Sequence, residues 1–155
     1  GPGRWCPPPH PPGAALATFR EPPVGFFRGF VLERSGDYAH ALDIKRGGTA
    51  AVVQMARLYA IAAGVDEVDT IARLGGAAGG PVSEKGAADL LDAYEYLANL
   101  AMRHQAKQVR AGDAPNYHID PKQLPERDRA ALRDAFGVIK SLQNALSTVY
   151  PTRAV

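Results

Sequence analysis

The sequence predicts an all-α fold: a bundle of four to five helices behind a proline-rich N-terminal arm. Three observations carry this prediction. Apolar residues recur at three- and four-residue intervals through residues 50–63, 84–111 and 125–150. A glycine or proline stands just beyond each of these stretches, at Gly64, Gly112 and Pro151. No run alternates with period two well enough to read as a strand, and there is no internal repeat. With 155 residues, 46% of them apolar and 22% charged, the chain is long enough for one domain with a real core.

Residues 1–23 hold eight of the thirteen prolines and read as an extended linker or arm, with residues 24–155 as the helical domain. Trp5 and His10 lie in the arm, where an exposed linker position is the simpler reading than docking on a groove. From Val24 to Arg34 the spacing of Phe26, Phe27, Phe30 and Val31 suits one face of a short helix ended by Ser35-Gly36, although Gly25 and Gly29 weaken it. Asp37 to Ile44 is irregular or extended.

The chain is organised around the stretch from Asp43 to Leu74. Lys45 and Arg46 lead into Gly47 and Gly48, Thr49 offers an N-cap, and a helix follows from Ala50 to about Ala63, stopped by Gly64. Apolar residues cover nearly its whole circumference, so it should be central and buried. Gln54 and Arg57, three apart, share its one polar stripe. Asp69 caps a short helix, Thr70 to Leu74, that stops at Gly75-Gly76, and residues 75–82 form a flexible loop. Ser83 caps a long helix, Glu84 to about Ala111, on the order of 40 Å at 1.5 Å per residue. Its stripe of Leu90, Tyr94, Leu97 and Ala101, with Ala87 and Leu100 beside it, runs on into His104 and Gln108, so polar groups replace apolar ones at its C-terminal end. Residues 113–124 form a loop. Pro125 suits the first position of a last helix, whose rhythm from Leu132 to Val149 continues to Tyr150 and ends at Pro151.

Composition narrows the function. A net charge of +2 is too weak to argue for nucleic acid by itself. Arg103, Lys107, Arg110, Lys122, Arg127, Arg129 and Arg133 are interleaved with Asp113, Asp120, Glu126, Asp128 and Asp134, so a solvated mixed face is the better reading. A lone Cys6 rules out an internal disulfide and fits a reducing, cytoplasmic setting. No apolar run is long enough to span a membrane. A chain that begins Gly-Pro-Gly without methionine is expected to be a processed or cloned piece of something longer.

No catalytic triad, zinc pattern or P-loop is present, and the four histidines (His10, His40, His104, His118) form no recognisable metal motif. Asp89, Asp92 and Glu95 at helical spacing read as a solvated face. The most suggestive local feature is Lys45-Arg46-Gly47-Gly48-Thr49. Glycines let a backbone approach a ligand, and a helix N-terminus with two cations favours phosphate or carboxylate. The simpler reading, which local sequence favours, is that the glycines make a turn and Thr49 caps. Arg57 and Gln54 could face such a site or pair internally with Asp43 or a glutamate. Arg103, His104, Gln105 and Gln108 form a second polar cluster. If the two clusters face each other, they line one polar pocket.

The order Leu42-Asp43-Ile44-Lys45-x-Gly47-Gly48, then Ala56-Arg57-Leu58-x-Ala60, Gly64-Val65, Thr70-x-x-Arg73-Leu74, Arg103-His104-Gln105, and a last helix with Arg129-x-x-Leu132-Arg133-Asp134-Ala135-Phe136 resembles the putative nucleotidyltransferase substrate-binding domain. The Asp43-to-Gly48 element is also similar to one in the helical regions of glutamine synthetase adenylyltransferases and of the uridylyltransferases that act on nitrogen signalling proteins. The resemblance covers roughly residues 24–150. Departures are Thr49, where related elements usually carry an aliphatic residue, and Asp69, where asparagine is usual.

The resemblance implies an all-helical, non-catalytic C-terminal partner of a nucleotide-transferring domain in the same bacterial, signal-transducing protein, often with cyclic-nucleotide-binding and CBS domains further upstream. It implies Asp43, Lys45, Gly47, Gly48, Arg57, Arg73, Arg103, His104 and Gln105 as substrate-binding positions. It places the Mg²⁺ and nucleoside triphosphate with the upstream catalytic domain, whose Gly-Ser and paired-aspartate signature is absent here, and leaves no cofactor for this chain. The ligand is then a nucleotide or a protein acceptor. The alternative is an interaction module that relays regulation or forms a homodimer and binds no small molecule.

Overall fold

The structure is a computed structural model and describes residues 4, 20–24, 30–34 and 36–149. The order is β1 (Leu42–Asp43), a π-helical turn (Lys45–Thr49), α1 (Ala50–Ala63), α2 (Thr70–Ala77), α3 (Glu84–Arg110), β2 (His118–Ile119), a 3₁₀ turn (Pro121–Gln123) and α4 (Glu126–Val149). The fold is mostly helical, as expected, with four α-helices among the described residues. The proline-rich arm, with Trp5 and His10, lies almost wholly outside them.

Helix α1 packs on α2, and α3 packs on α4; the π turn joins the two pairs by touching α1, α3 and α4. Leu42 and Ile44 enter the core before α1 begins, and meet Val52, Met55, Leu90, Leu97, Leu132, Phe136 and Ile139, all fully buried. Most of the stripes expected for α3 and α4 are buried, but Tyr94 and Leu142 are only partly covered and Val149, at the end of α4, is exposed. No helix is long and apolar enough to cross a membrane among the described residues.

Several local expectations are corrected. Helix α1 has the expected ends, and Gly64 closes it with φ 70°. It is not buried all round, however: Val53, Arg57 and Ile61 face solvent. Thr49 makes no cap bond. It lies instead in the π turn, where its N–H donates to the Ile44 carbonyl five residues back (3.1 Å). Asp43 does the capping: its Oδ1 accepts from the N–H groups of Lys45 (2.9 Å) and Arg46 (3.0 Å). Gly75-Gly76 does not stop α2, which runs to Ala77; Gly76 instead lets the helix pack closely on Val65, where a Cβ would lie 2.8 Å from the side chain.

Phe30 to Arg34 is not helical. Phe30 bridges to Val24, and Glu33 exchanges backbone bonds with Ala41 (3.0 Å) and His40 (2.8 Å). Phe26, Phe27 and Ser35 lie outside the described residues. The expected absence of strands is modified by the short antiparallel pairing Leu42↔Ile119 and Asp43↔His118, too brief for a period-two pattern to show in sequence. Asp69 and Ser83 cap α2 and α3 as expected, accepting from Ala72 and Gly86. Helix α3 ends at Arg110, and Gly112 follows at φ 81°. Pro125 immediately precedes α4, which is described to Val149; Tyr150 and Pro151 lie outside the described residues.

Tyr59 is 2% exposed, and burial pushes its phenol pKa up to about 12. The unfolded chain loses this proton near pH ~10. Between the two values the unfolded state binds fewer protons, so stability falls as pH rises through that window. Tyr59→Phe should remove this part of the alkaline loss, which melting temperatures measured from pH ~9 to ~12 would show as a flatter decline.

Candidate functional site

The π turn delivers Lys45 to one side of the bundle, and the exposed stripe of α1 delivers Arg57 to the same side. With Thr49, Gln54 and, from α3, Tyr94, they line an open concavity of about 510 Å³. Lys45 Nζ also stands 5.0 Å from the centre of the Tyr117 ring, an attraction that holds the ammonium without neutralising it. Among the described residues Arg57 has no ion-pair or hydrogen-bond partner. Asp43 is therefore not its counter-ion. The Asp43 carboxylate is taken up by Arg46 Nε (3.6 Å), by His118 Nε2 (3.8 Å) and by the two N–H groups it caps.

Charge sign separates this concavity from the others described. The cleft beside Gly47 mixes Arg20, Arg46 and Lys140 with Glu21, Glu33 and Asp43. Two further depressions between α3 and α4 include Asp89 and Asp134. The groove at the C-terminal end of α3 includes Asp120 and Asp128. Only the Lys45–Arg57 concavity, of these five, has cations and no carboxylate in its lining. It can neutralise an anion without first displacing an internal counter-ion, and the Tyr94 ring offers a flat surface beside it.

The two glycines serve packing. Both are buried. A Cβ on Gly47 would stand 2.8 Å from the Glu21 carbonyl oxygen, and one on Gly48 would stand 3.0 Å from Leu97 Cδ1 and 3.3 Å from the Phe136 ring. Their bare Cα atoms therefore let residues 21–23 and helix α3 close on the turn, and the N–H groups of Lys45 and Arg46 are already occupied by Asp43.

The second polar cluster organises a loop. Asn116 accepts at Oδ1 from the His118 N–H (3.0 Å) and lies 3.2 Å from His104 Nε2. Its N–H donates to Gln108 Oε1 (2.9 Å), and its carbonyl accepts from Gln105 Nε2 (3.3 Å). With Oδ1 acting as acceptor, His104 carries a proton on Nε2. His118, stacked under Tyr38 at 3.7 Å, has Nδ1 buried without a partner among the described residues, which favours its proton on Nε2 toward Asp43. Arg73 belongs to neither cluster: its Nε donates to the Glu67 carbonyl (2.7 Å) and ties down the α1–α2 connection.

Lys45 and Arg57 thus come together, as do His104, Gln105 and Gln108. No described cavity is lined by both groups. The segment leading into β2 touches both, the first through Tyr117 and the second through Asn116. The spacing of Tyr94 predicts a core position; its partial exposure follows from how α3 packs, which spacing does not convey. Among the described residues no group of three or more His, Cys, Asp or Glu converges as a metal site.

The chain belongs to the family described as the putative nucleotidyltransferase substrate binding domain, whose model matches residues 14–150. The match takes in the described helical bundle and part of the proline-rich stretch. No curated protein and no solved structure matches it.

Proposed function

We propose that this chain is the non-catalytic helical domain of a nucleotidyltransferase and that its Lys45–Arg57 concavity holds a phosphate-bearing substrate, nucleotide or acceptor, for a catalytic domain of the same protein. The single observation that carries this reading is a concavity with two convergent cations and no carboxylate. Lys45 and Arg57 balance phosphate charge, Thr49 and Gln54 supply polar groups at its edge, and Tyr94 flanks the apolar part of the substrate. In this reading Mg²⁺ and the transfer step itself stay with the catalytic domain. Asp43, Gly47 and Gly48 shape the turn that presents Lys45, and are positioning residues.

The test is an NMR titration of the chain with nucleoside triphosphate and with inorganic phosphate. Amide shifts should cluster at Lys45, Thr49, Gln54 and Arg57, and Arg57→Ala should weaken binding about tenfold with an unchanged melting temperature. Arg57 is exposed, so its loss leaves no hole in the core. If Arg57→Ala lowers the melting temperature and leaves binding untouched, the residue is structural and the reading fails.

A further inference from the structure

A second cavity has a different chemistry and lies apart from the Lys45–Arg57 concavity. Arg103, Lys107 and Arg110 stand at i, i+4 and i+7, so they share one face of α3. That face forms one wall of a groove of about 430 Å³. The floor and far side are Leu100, Ile119, Leu124 and Pro125, with Asp120 and Asp128 at the edges.

Asp120 and Asp128 keep their charge, so they offset part of the positive charge of Arg103, Lys107 and Arg110 and leave one cation in excess. Asp120 Oδ1 accepts from the Lys122 N–H (2.9 Å) in the 3₁₀ turn. Asp128 Oδ1 accepts from the Tyr96 hydroxyl (3.5 Å) and, largely covered itself, pairs loosely with the exposed Arg103 at 3.9 Å. Lys107 and Arg110, by contrast, have no hydrogen-bond or ion-pair partner among the described residues. They lie in the last turn of α3, where they also offset the helix dipole. That effect requires neither an apolar floor nor a concavity beside them, and both are present.

The far wall is held in place. Arg129 Nη1 donates to the Leu124 carbonyl (2.9 Å), while its Nη2 pairs with Glu126 (2.6 Å). The α3 side is pinned through His104 to Asn116. The groove is therefore preformed, which spares a ligand the cost of ordering it.

We infer that this groove is a second ligand site, for a nucleoside polyphosphate: the planar base lies on Leu124, Pro125 and Ile119, and the phosphates run along Lys107 and Arg110. The base contributes burial against an apolar floor, the phosphates contribute charge-assisted hydrogen bonds, and neither half fits the groove as well without the other. A protein acceptor and a nucleotide could then be held at separate sites on one bundle. The inference does not depend on the Lys45–Arg57 reading.

The test is a titration of the chain with ATP, adenosine and tripolyphosphate, followed by amide shifts and repeated with two double variants. ATP should move amides near Lys107, Arg110, Ile119 and Leu124 and bind at least about tenfold more tightly than either fragment. Lys107→Ala/Arg110→Ala should weaken it about tenfold, while Lys45→Ala/Arg57→Ala leaves the groove shifts intact. All four side chains are exposed, so both variants should fold, which melting temperatures would confirm. Tripolyphosphate binding as tightly as ATP would remove the base from the site. ATP shifts that spare the groove at millimolar ligand, or that vanish only with Lys45 and Arg57, would overturn the second site while leaving the first standing.

Discussion

Leu97→Ala should destabilise the bundle by about 3–4 kcal/mol, and Gly48→Ala, costly in the wild-type chain, should cost less in that background. Leu97 is fully buried, and its Cδ1 reaches within 3.0 Å of where a Cβ on Gly48 would stand. Removing the isobutyl group loses its burial and leaves a hole that the helices cannot fully close. Adding a methyl at Gly48 in the intact core does the opposite, forcing Leu97 and the Phe136 ring aside at a cost of about 1–3 kcal/mol. In the double variant the new methyl enters the space that Leu97 has vacated. The two effects should fall short of their sum by about 1 kcal/mol, as urea unfolding of the four proteins would show. The cycle also separates two roles for the glycine pair. If Gly48 existed to bring backbone N–H groups against a ligand, Gly48→Ala would weaken phosphate binding and leave the unfolding midpoint where it was.

Asn116→Ala should cost about 2–3 kcal/mol, more than most substitutions outside a hydrophobic core. Its Oδ1 is shared between the His118 N–H and His104 Nε2, and both groups are half-buried. Alanine leaves a strand N–H at β2 without its acceptor and frees the imidazole that links α3 to the loop. Asn116→Asp keeps an acceptor in the same place and should recover most of the loss. Hydrogen exchange offers a direct readout: in Asn116→Ala the amides of residues 116–119 should exchange faster, with those of α1 unchanged. Equal loss in both variants would mean that side-chain shape, not the shared acceptor, holds the loop.

These two sites show where local pattern stops being informative. The long periodic segments could be read directly, because an amphipathic helix of three or more turns repeats its signal at every turn. The end of α1 at Gly64 and the caps at Asp69 and Ser83 followed for the same local reason. The convergence of Lys45 and Arg57 did not follow in this way, since the sequence allows Arg57 either to face that site or to pair internally with Asp43 or a glutamate. Short elements were not readable. The pairing of Asp43 with His118 joins residues far apart in the chain, and two-residue strands are shorter than one period of any pattern.

The chemistry of single residues therefore depended on long-range packing. Thr49 had the composition of a cap, yet Asp43, six residues earlier, held the free N–H groups once the backbone took a π turn. Gly47 and Gly48 suggested a ligand cradle or a turn; their actual neighbours are Leu97, Phe136 and residues 21–23, which only the packed bundle brings near. Arg73, His104 and Gln105 stand in the family's order of residues, but in three dimensions they tie loops to helices. Residue order and hydrophobic period were enough for the helices and for family membership, because both are local properties repeated along the chain. Which cations remain without a counter-ion, and which cavities they line, was decided by tertiary structure, because a charge is neutralised by whatever lies within a few ångströms in space.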